Sequence, residues 1–208
     1  RDQLARITKL PGGSGPTMDF AHGARDIDYD CLGILNEVSG TQQAIFMRSW
    51  QEGMSPTFEG LPHRIRFSRI LSDYEHTPRR FTGGSGRHMF LEGVDCTVSH
   101  SRITGIRSGL PTPGQGDYQA IYGFAAFNFI CMDSELQCGG EVAGQGDSYA
   151  VPYFGRTPSS KWVRDIFWRP FSWFADPEFI HKCTFETKVG DVDIDRCVFA
   201  HCPLGAGS

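Results

Sequence analysis

The chain lacks the marks of several large function classes. Across its 208 residues no apolar run approaches the roughly 18 positions of a membrane-spanning helix, so membrane insertion is not expected. Lys and Arg number 20 against 24 Asp and Glu, and a formal net charge of −4 provides no basic footprint for nucleic acid. There is no phosphate-cradling P-loop, no nucleophile elbow and no dinucleotide fingerprint, and no cofactor is expected. No secretion signal is visible, and the first residue is Arg1 rather than Met, as expected of a processed chain or a segment of a longer one. Sustained helical spacing is missing too. With 25 Gly and 12 Pro marking turns, and a hydrophobic content of 39% to supply a core, the text reads as mostly β.

Cysteine, by contrast, is plentiful. Seven is an odd count, so a closed disulfide framework would leave a thiol over. Cys96, Cys131, Cys183 and Cys197 fall at recurring positions and are expected to be buried packing residues, reduced as in a cytoplasm. Cys197, His201 and Cys202 have no second knuckle to complete four ligands, and no metal is expected.

The recurrence is an imperfect repeat. FEGLPHRIRFSRI, starting at Phe58, returns 33 positions on as LEGVDCTVSHSRI, starting at Leu91. Its skeleton is apolar, two free positions, Ser or Cys, one free position, apolar. It reads Ile65, Ser68, Ile70; Val98, Ser101, Ile103; Cys131, Ser134, Leu136; Ile180, Cys183, Phe185; and Ile194, Cys197, Phe199. Alternation broken at a small residue is the pattern of a strand that turns a tight corner and resumes. Ankyrin-type repeats share the period but need two helices per unit. The spacing predicts an irregular N-terminal capping segment over 1–57, with a short helix in Asp2 to Lys9, then repeated coils over 58–208. An aromatic loop insertion is expected at about 139–177, where the interval between copies swells.

The segments IYGFAAFNFICMDSEL (from Ile121), EFIHKCTF (from Glu178) and VDIDRCVF (from Val192) resemble the coil text of right-handed parallel β-helices of the pectate-lyase-like superfamily, which includes bacteriophage tailspikes. The resemblance covers about residues 58–202. The chain departs from that text in holding only two Asn, Asn36 and Asn128, where such coils often stack Asn ladders. What the resemblance implies is an all-β solenoid, a homotrimeric virion protein met outside the cell, and a groove that binds or cleaves a host surface polysaccharide alongside other virion proteins.

Glycoside hydrolysis needs two carboxylates about 5 to 9.5 Å apart, and outward residues on neighbouring strands stand about 4.8 Å apart. Asp133, Glu135, Asp193 and Asp195, with His181 in the register of Asp195, are therefore the candidate acid–base set of a depolymerase. Lyase chemistry, drawing on His100, His181, Lys182 or Arg102, is the weaker expectation. Tyr153, Trp162, Trp168 and Trp173 supply ring faces for stacking on sugars, and Arg156, Lys161, Arg164 and Arg169 interleave with them as partners for an anionic glycan. The competing readings are a non-catalytic structural or adhesive β-solenoid, with the aromatic segment at a subunit interface, and a jelly-roll capsid protein.

Overall fold

The computed structural model describes residues 5–9, 18–20, 23–36, 43–47, 57–73, 85–106, 117–138, 143–145, 154–169, 185–188 and 190–201. Their elements are 19 strands, which fall into three series. The first is β2 (Met18–Phe20), β5 (Gln43–Met47), β8 (Ser85–Val94), β11 (Asp117–Phe127), β14 (Ala143–Gln145) and β17 (Phe185–Thr187). The second is β3 (Arg25–Asp30), β6 (His63–Ser68), β9 (Thr97–Ser99), β12 (Phe129–Met132), β15 (Ser159–Val163) and β18 (Asp191–Asp195). The third is β1 (Ala5–Lys9), β4 (Leu32–Asn36), β7 (Leu71–Asp73), β10 (Arg102–Ile106), β13 (Glu135–Cys138), β16 (Ile166–Trp168) and β19 (Val198–Ala200).

Each strand from β1 to β16 pairs in parallel with the strand three places later, so every series is a stack. The third series forms a seven-stranded sheet. The first two join into a twelve-stranded sheet, because the long β8 bends round a corner and its Val94 pairs with His63 of β6. That bend is tight. A Cβ on Gly93 would lie 2.9 Å from Cys96 Sγ and 3.0 Å from the backbone carbonyl of Pro62, so the position requires glycine.

Inward side chains align as columns, for example Tyr29, Phe67, Val98, Cys131, Trp162 and Ile194. A second column runs Ile34, Ser72, Ile103, Leu136, Phe167 and Phe199, where the last two rings stack at 4.8 Å. Most of their members join the main apolar core, and Leu61, Val94, Ala125 and Phe127 form a second, smaller cluster.

Between the second and third series the backbone turns through the left-handed region at Cys31, Arg69, His100, Asp133, Arg164 and Arg196, with φ of 50 to 55°. Non-glycine residues at such angles cost on the order of 1 kcal/mol each, and hydrogen bonding offsets it. The amides of Arg69, His100, Asp133 and Arg164 donate to carbonyls one strand ahead in the stack, at 2.9 to 3.0 Å. Two residues further on, Glu135, Ile166 and Val198 donate to carbonyls one strand behind. The amide where the direction reverses has no carbonyl to meet, and the small residue supplies the acceptor instead. Ile70 N donates to Ser101 Oγ (3.1 Å), Ser101 N to Ser134 Oγ (3.2 Å), Ser134 N to Asp165 Oδ1 (2.9 Å) and Asp165 N to Cys197 Sγ (3.4 Å). Each hydroxyl in turn donates to the carbonyl two residues before it.

Several sequence expectations are corrected by this register. The first copy slips by two, since Phe67 pairs with Val98 and Ile70, not Ser68, occupies the corner. Trp162, Asp165 and Phe167 form an unrecognised copy 31 residues after Cys131, so the part of the aromatic segment that holds β15 and β16 is regular strand. Phe185 belongs to the first series, opposite Ala143, and Ile180 and Cys183 lie outside the described residues. Ala5–Lys9 is a strand rather than a helix, and the segment expected to be irregular contributes β1 to β5 to the same two sheets. Cys96, Cys131 and Cys138 are buried, and burial pushes the Cys96 thiol up to about 11.

The corner arrangement makes Ser134→Ala costly. It strands the buried Ser101 amide, and denaturant unfolding should read a loss of about 1–3 kcal/mol; an unchanged midpoint would show that the rung bears no weight. Gly93→Ala should likewise lower the midpoint, because the obstructing Pro62 carbonyl is backbone.

Candidate functional site

The outer surface of β9, β12, β15 and β18 gathers four of the expected site residues, Asp133, Arg164, Asp193 and Asp195. Because side chains alternate across a strand, Ile130, Lys161 and Asp193 form one outward column and Met132, Val163 and Asp195 the next. The left-handed corner residues His100, Asp133, Arg164 and Arg196 project beside them.

Asp133 is clamped. Arg164 donates to both of its oxygens at 2.6 Å, and His100 Nε2 stands 3.8 Å away. The hydrogen bonds and charge of Arg164 hold the Asp133 carboxyl below the ordinary carboxylate range. Arg196 does the same for Asp195, at 2.8 Å. Lys161 Nζ meets Asp193 Oδ2 at 3.0 Å. Glu135 accepts from Trp168 Nε1 (3.0 Å) and pairs with Arg102 at 3.1 Å. A general acid needs the opposite environment, one that keeps its proton near neutral pH.

A carboxyl with the opposite shift lies at the corner. Asp165, sealed from solvent, is driven to about 6 by desolvation. Its Oδ1 accepts from Ser134 N and from Cys131 Sγ (3.6 Å), while Oδ2 is buried without a hydrogen-bond partner. It is a corner rung and touches no surface.

Next to the Lys161–Asp193 pair lies a cleft of about 260 Å³, lined by Asn128, Ser159, Ser160, Lys161, Asp191, Val192 and Asp193. Asn128 is fixed there by its amide to Ser159 Oγ (2.9 Å) and its side chain to Asp95 (2.7 Å). Sequence reading missed Asn128, Ser159 and Asp191. Asn128 carried the one available signal, as one of only two Asn in the chain.

Asp133, Arg164, Asp193 and Asp195 thus come together, and Glu135 and Trp168 sit around the corner on the seven-stranded sheet. Trp162 does not join them. It is 0% exposed, with its Nε1 donating to Ser160 Oγ (2.8 Å) and its ring against Phe129 and Phe185, so it presents no face to a sugar. Arg169 is 1% exposed and donates to the Cys138 carbonyl (3.0 Å). Tyr153, Trp173 and His181 lie outside the described residues. No family model matches the chain, and neither the curated proteins nor the solved structures contain a significant match to it.

Asp165 yields a pH test. Its folded pKa lies above the unfolded value near 3.8, so the native state binds the extra proton between about pH 4 and 6. Stability should fall as pH rises through that window and stay lower above it. Asp165→Ser, which keeps a rung acceptor, should abolish this slope and raise stability at pH 7 by on the order of 1–3 kcal/mol. Equal slopes in the two proteins would refute the assignment.

Proposed function

We propose that the chain is a right-handed, three-faced parallel β-helix of the tailspike kind, a virion protein that binds a host surface polysaccharide outside the cell. Three observations support the architecture: pairing to the strand three places on, near-constant offsets of 31 to 33 along β9, β12, β15 and β18, and corners at matching positions. Parallel crossovers are right-handed in about 98% of cases. The binding reading is carried by the outer face. The polar side chains of Lys161, Asp193, Asp133 and Asp195 beside a cleft suit a linear polymer that repeats along the coil axis. A volume of about 260 Å³ lies below the ~300–1,000 Å³ of pockets that enclose a whole drug-sized ligand, which fits one sugar unit of a longer chain.

Binding is favoured over cleavage. Each candidate carboxylate of the acid–base set within the described residues is tied to a cation, and the proton-holding Asp165 is out of reach. Incubation with capsular and O-antigen polysaccharides should show retention on the glycan with no fall in polymer size. Shortened products would restore the depolymerase, with hydrolysis ahead of lyase chemistry. Absence of binding across a broad panel would leave the adhesive or structural solenoid.

A homotrimer is part of the same proposal. On the outside of the seven-stranded sheet Ile166 (44% exposed) and Val198 (54% exposed) are register partners, an apolar pair that a second copy would cover. Ile166→Asp with Val198→Asp should convert the oligomer to monomer in sedimentation while leaving the melting curve of the fold in place. A monomeric parent protein would remove this element.

A further inference from the structure

The cleft holds one side-chain amide whose orientation is fixed from outside, and that orientation decides what the site selects, given the glycan-binding reading on which this rests. We infer that Asp95, which does not line the cleft, is its specificity-determining residue. It turns the Asn128 side chain so that the carbonyl oxygen serves the cleft, and the site therefore selects hydrogen-bond donors, the free hydroxyls of a sugar. Asn128 Nδ2 donates to Asp95 Oδ1 at 2.7 Å. An ionised carboxylate can only accept, so this contact assigns the two ends of the amide. The nitrogen is spent on the coil before, and the oxygen is what Asn128 has left to offer.

The backbone holds this residue as well. Asn128 sits in the left-handed region (φ 54°), where Asn is among the few non-glycine residues that settle readily, and its N donates to Ser159 Oγ at 2.9 Å. Ser159 thereby spends a lone pair and keeps its hydroxyl proton, which no described residue accepts. Asn128 and Ser159 precede the register partners Phe129 and Ser160, so acceptor and donor stand on neighbouring rungs about 4.8 Å apart. Beside them Lys161 and Asp193, paired at 3.0 Å, repeat the combination of donor and acceptor. One sugar hydroxyl can give its proton to Asn128 while another accepts from Ser159. An ether oxygen only accepts, so an O-methylated sugar would bury the Asn128 oxygen without a partner. Asp95 maintains this discrimination. Without it, the amide can rotate end for end about its soft terminal torsion and present Nδ2 instead.

Asn36 and Asn128 are the only two Asn in the chain, so isotope labelling restricted to asparagine yields two side-chain amide signals, and Asn36→Gln identifies which is which. The probes for the full chain are mannan, galactan and glucan fragments and the same fragments with their hydroxyls O-methylated. The expected result is that at least one native fragment binds and shifts the Asn128 signal, and that its methylated form binds about tenfold more weakly or worse. Asp95→Asn suits the same left-handed backbone and pairs with the amide in either orientation. It should cut that preference to about threefold or less with the melting curve unchanged. Should the variant unfold, the unaltered chain decides: exchange of an Asn128 Nδ2 proton with water should be slower than in free asparagine, and free exchange would overturn the assignment. Methylated fragments that bind as well as native ones, an Asn128 signal that stays still, or a preference that survives Asp95→Asn would overturn the role of Asp95 and leave glycan binding standing. Failure of every native fragment to bind would overturn both.

Discussion

The structure depends on how the backbone crosses one corner. Along β9 and β12 the amides of the left-handed residues point to the strand ahead in the stack, and past the corner they point to the strand behind. The amide between belongs to neither ladder. Buried and unpaired, it would cost about 1–3 kcal/mol at each turn, and the cost would recur along the stack. A short side chain from the next copy removes it. Ser101, Ser134, Asp165 and Cys197 each present an acceptor to the amide one copy earlier, so every copy completes the one before it. No copy is satisfied alone, which is the property that makes stacked repeats cooperative.

This accounts for which residues stand at the corner. A hydroxyl is close to ideal, since it accepts from the neighbouring amide and donates to its own strand. A thiol does both more weakly, and Cys197 reaches its partners at 3.4 to 3.6 Å. A carboxylate accepts well but has nothing to donate, and its second oxygen is left over. At Asp165 that remainder appears as a proton held to about pH 6. The perturbed carboxyl is thus a product of the corner's geometry, and a raised acid is a weaker pointer to catalysis here than in a cleft.

The same geometry decides what could be read from the sequence. The β class, the corner and the burial of Cys96 and Cys131 were legible because they need only local spacing. The register was not. Glu-Gly and Ser-Arg-Ile recur at 33, yet the pairing of β6 with β9 runs at 31, because the chain tolerates length changes in its connections while side-chain columns fix alignment in space. The copy at Trp162, Asp165 and Phe167 escaped notice because a large ring and an acid replaced the expected small residues. Its aromatic content suggested an exposed surface, but Trp162 fills the column between Cys131 and Ile194, where a small thiol on one side leaves room for the indole. Of the site, the acids Asp193 and Asp195 followed from alternation alone. The partner of Asp193 did not, since Lys161 comes from the neighbouring strand in the stack, whereas that of Asp195 is the next residue, Arg196.

Stacking also constrains the outside, and that constraint gives the cleft its character. Neighbours in a column stand about 4.8 Å apart, close enough for like charges to destabilise the stack. Several outer positions avoid this by setting opposite charges, or a charge and an amide, side by side. Arg64 binds Asp26 (2.5 Å), Arg66 faces Asp28 (3.5 Å), Arg69 pairs with Asp30, and Asn128 takes the position after Asp95. A surface assembled under that rule is charge-matched for stability before any ligand arrives, and its ion pairs are exposed enough to contribute little each. At the cleft the same pressure sets Lys161 against Asp193 (3.0 Å) and Ser159 opposite Asp191 in the register, so the concave part of the surface is built from hydroxyls and an ion pair.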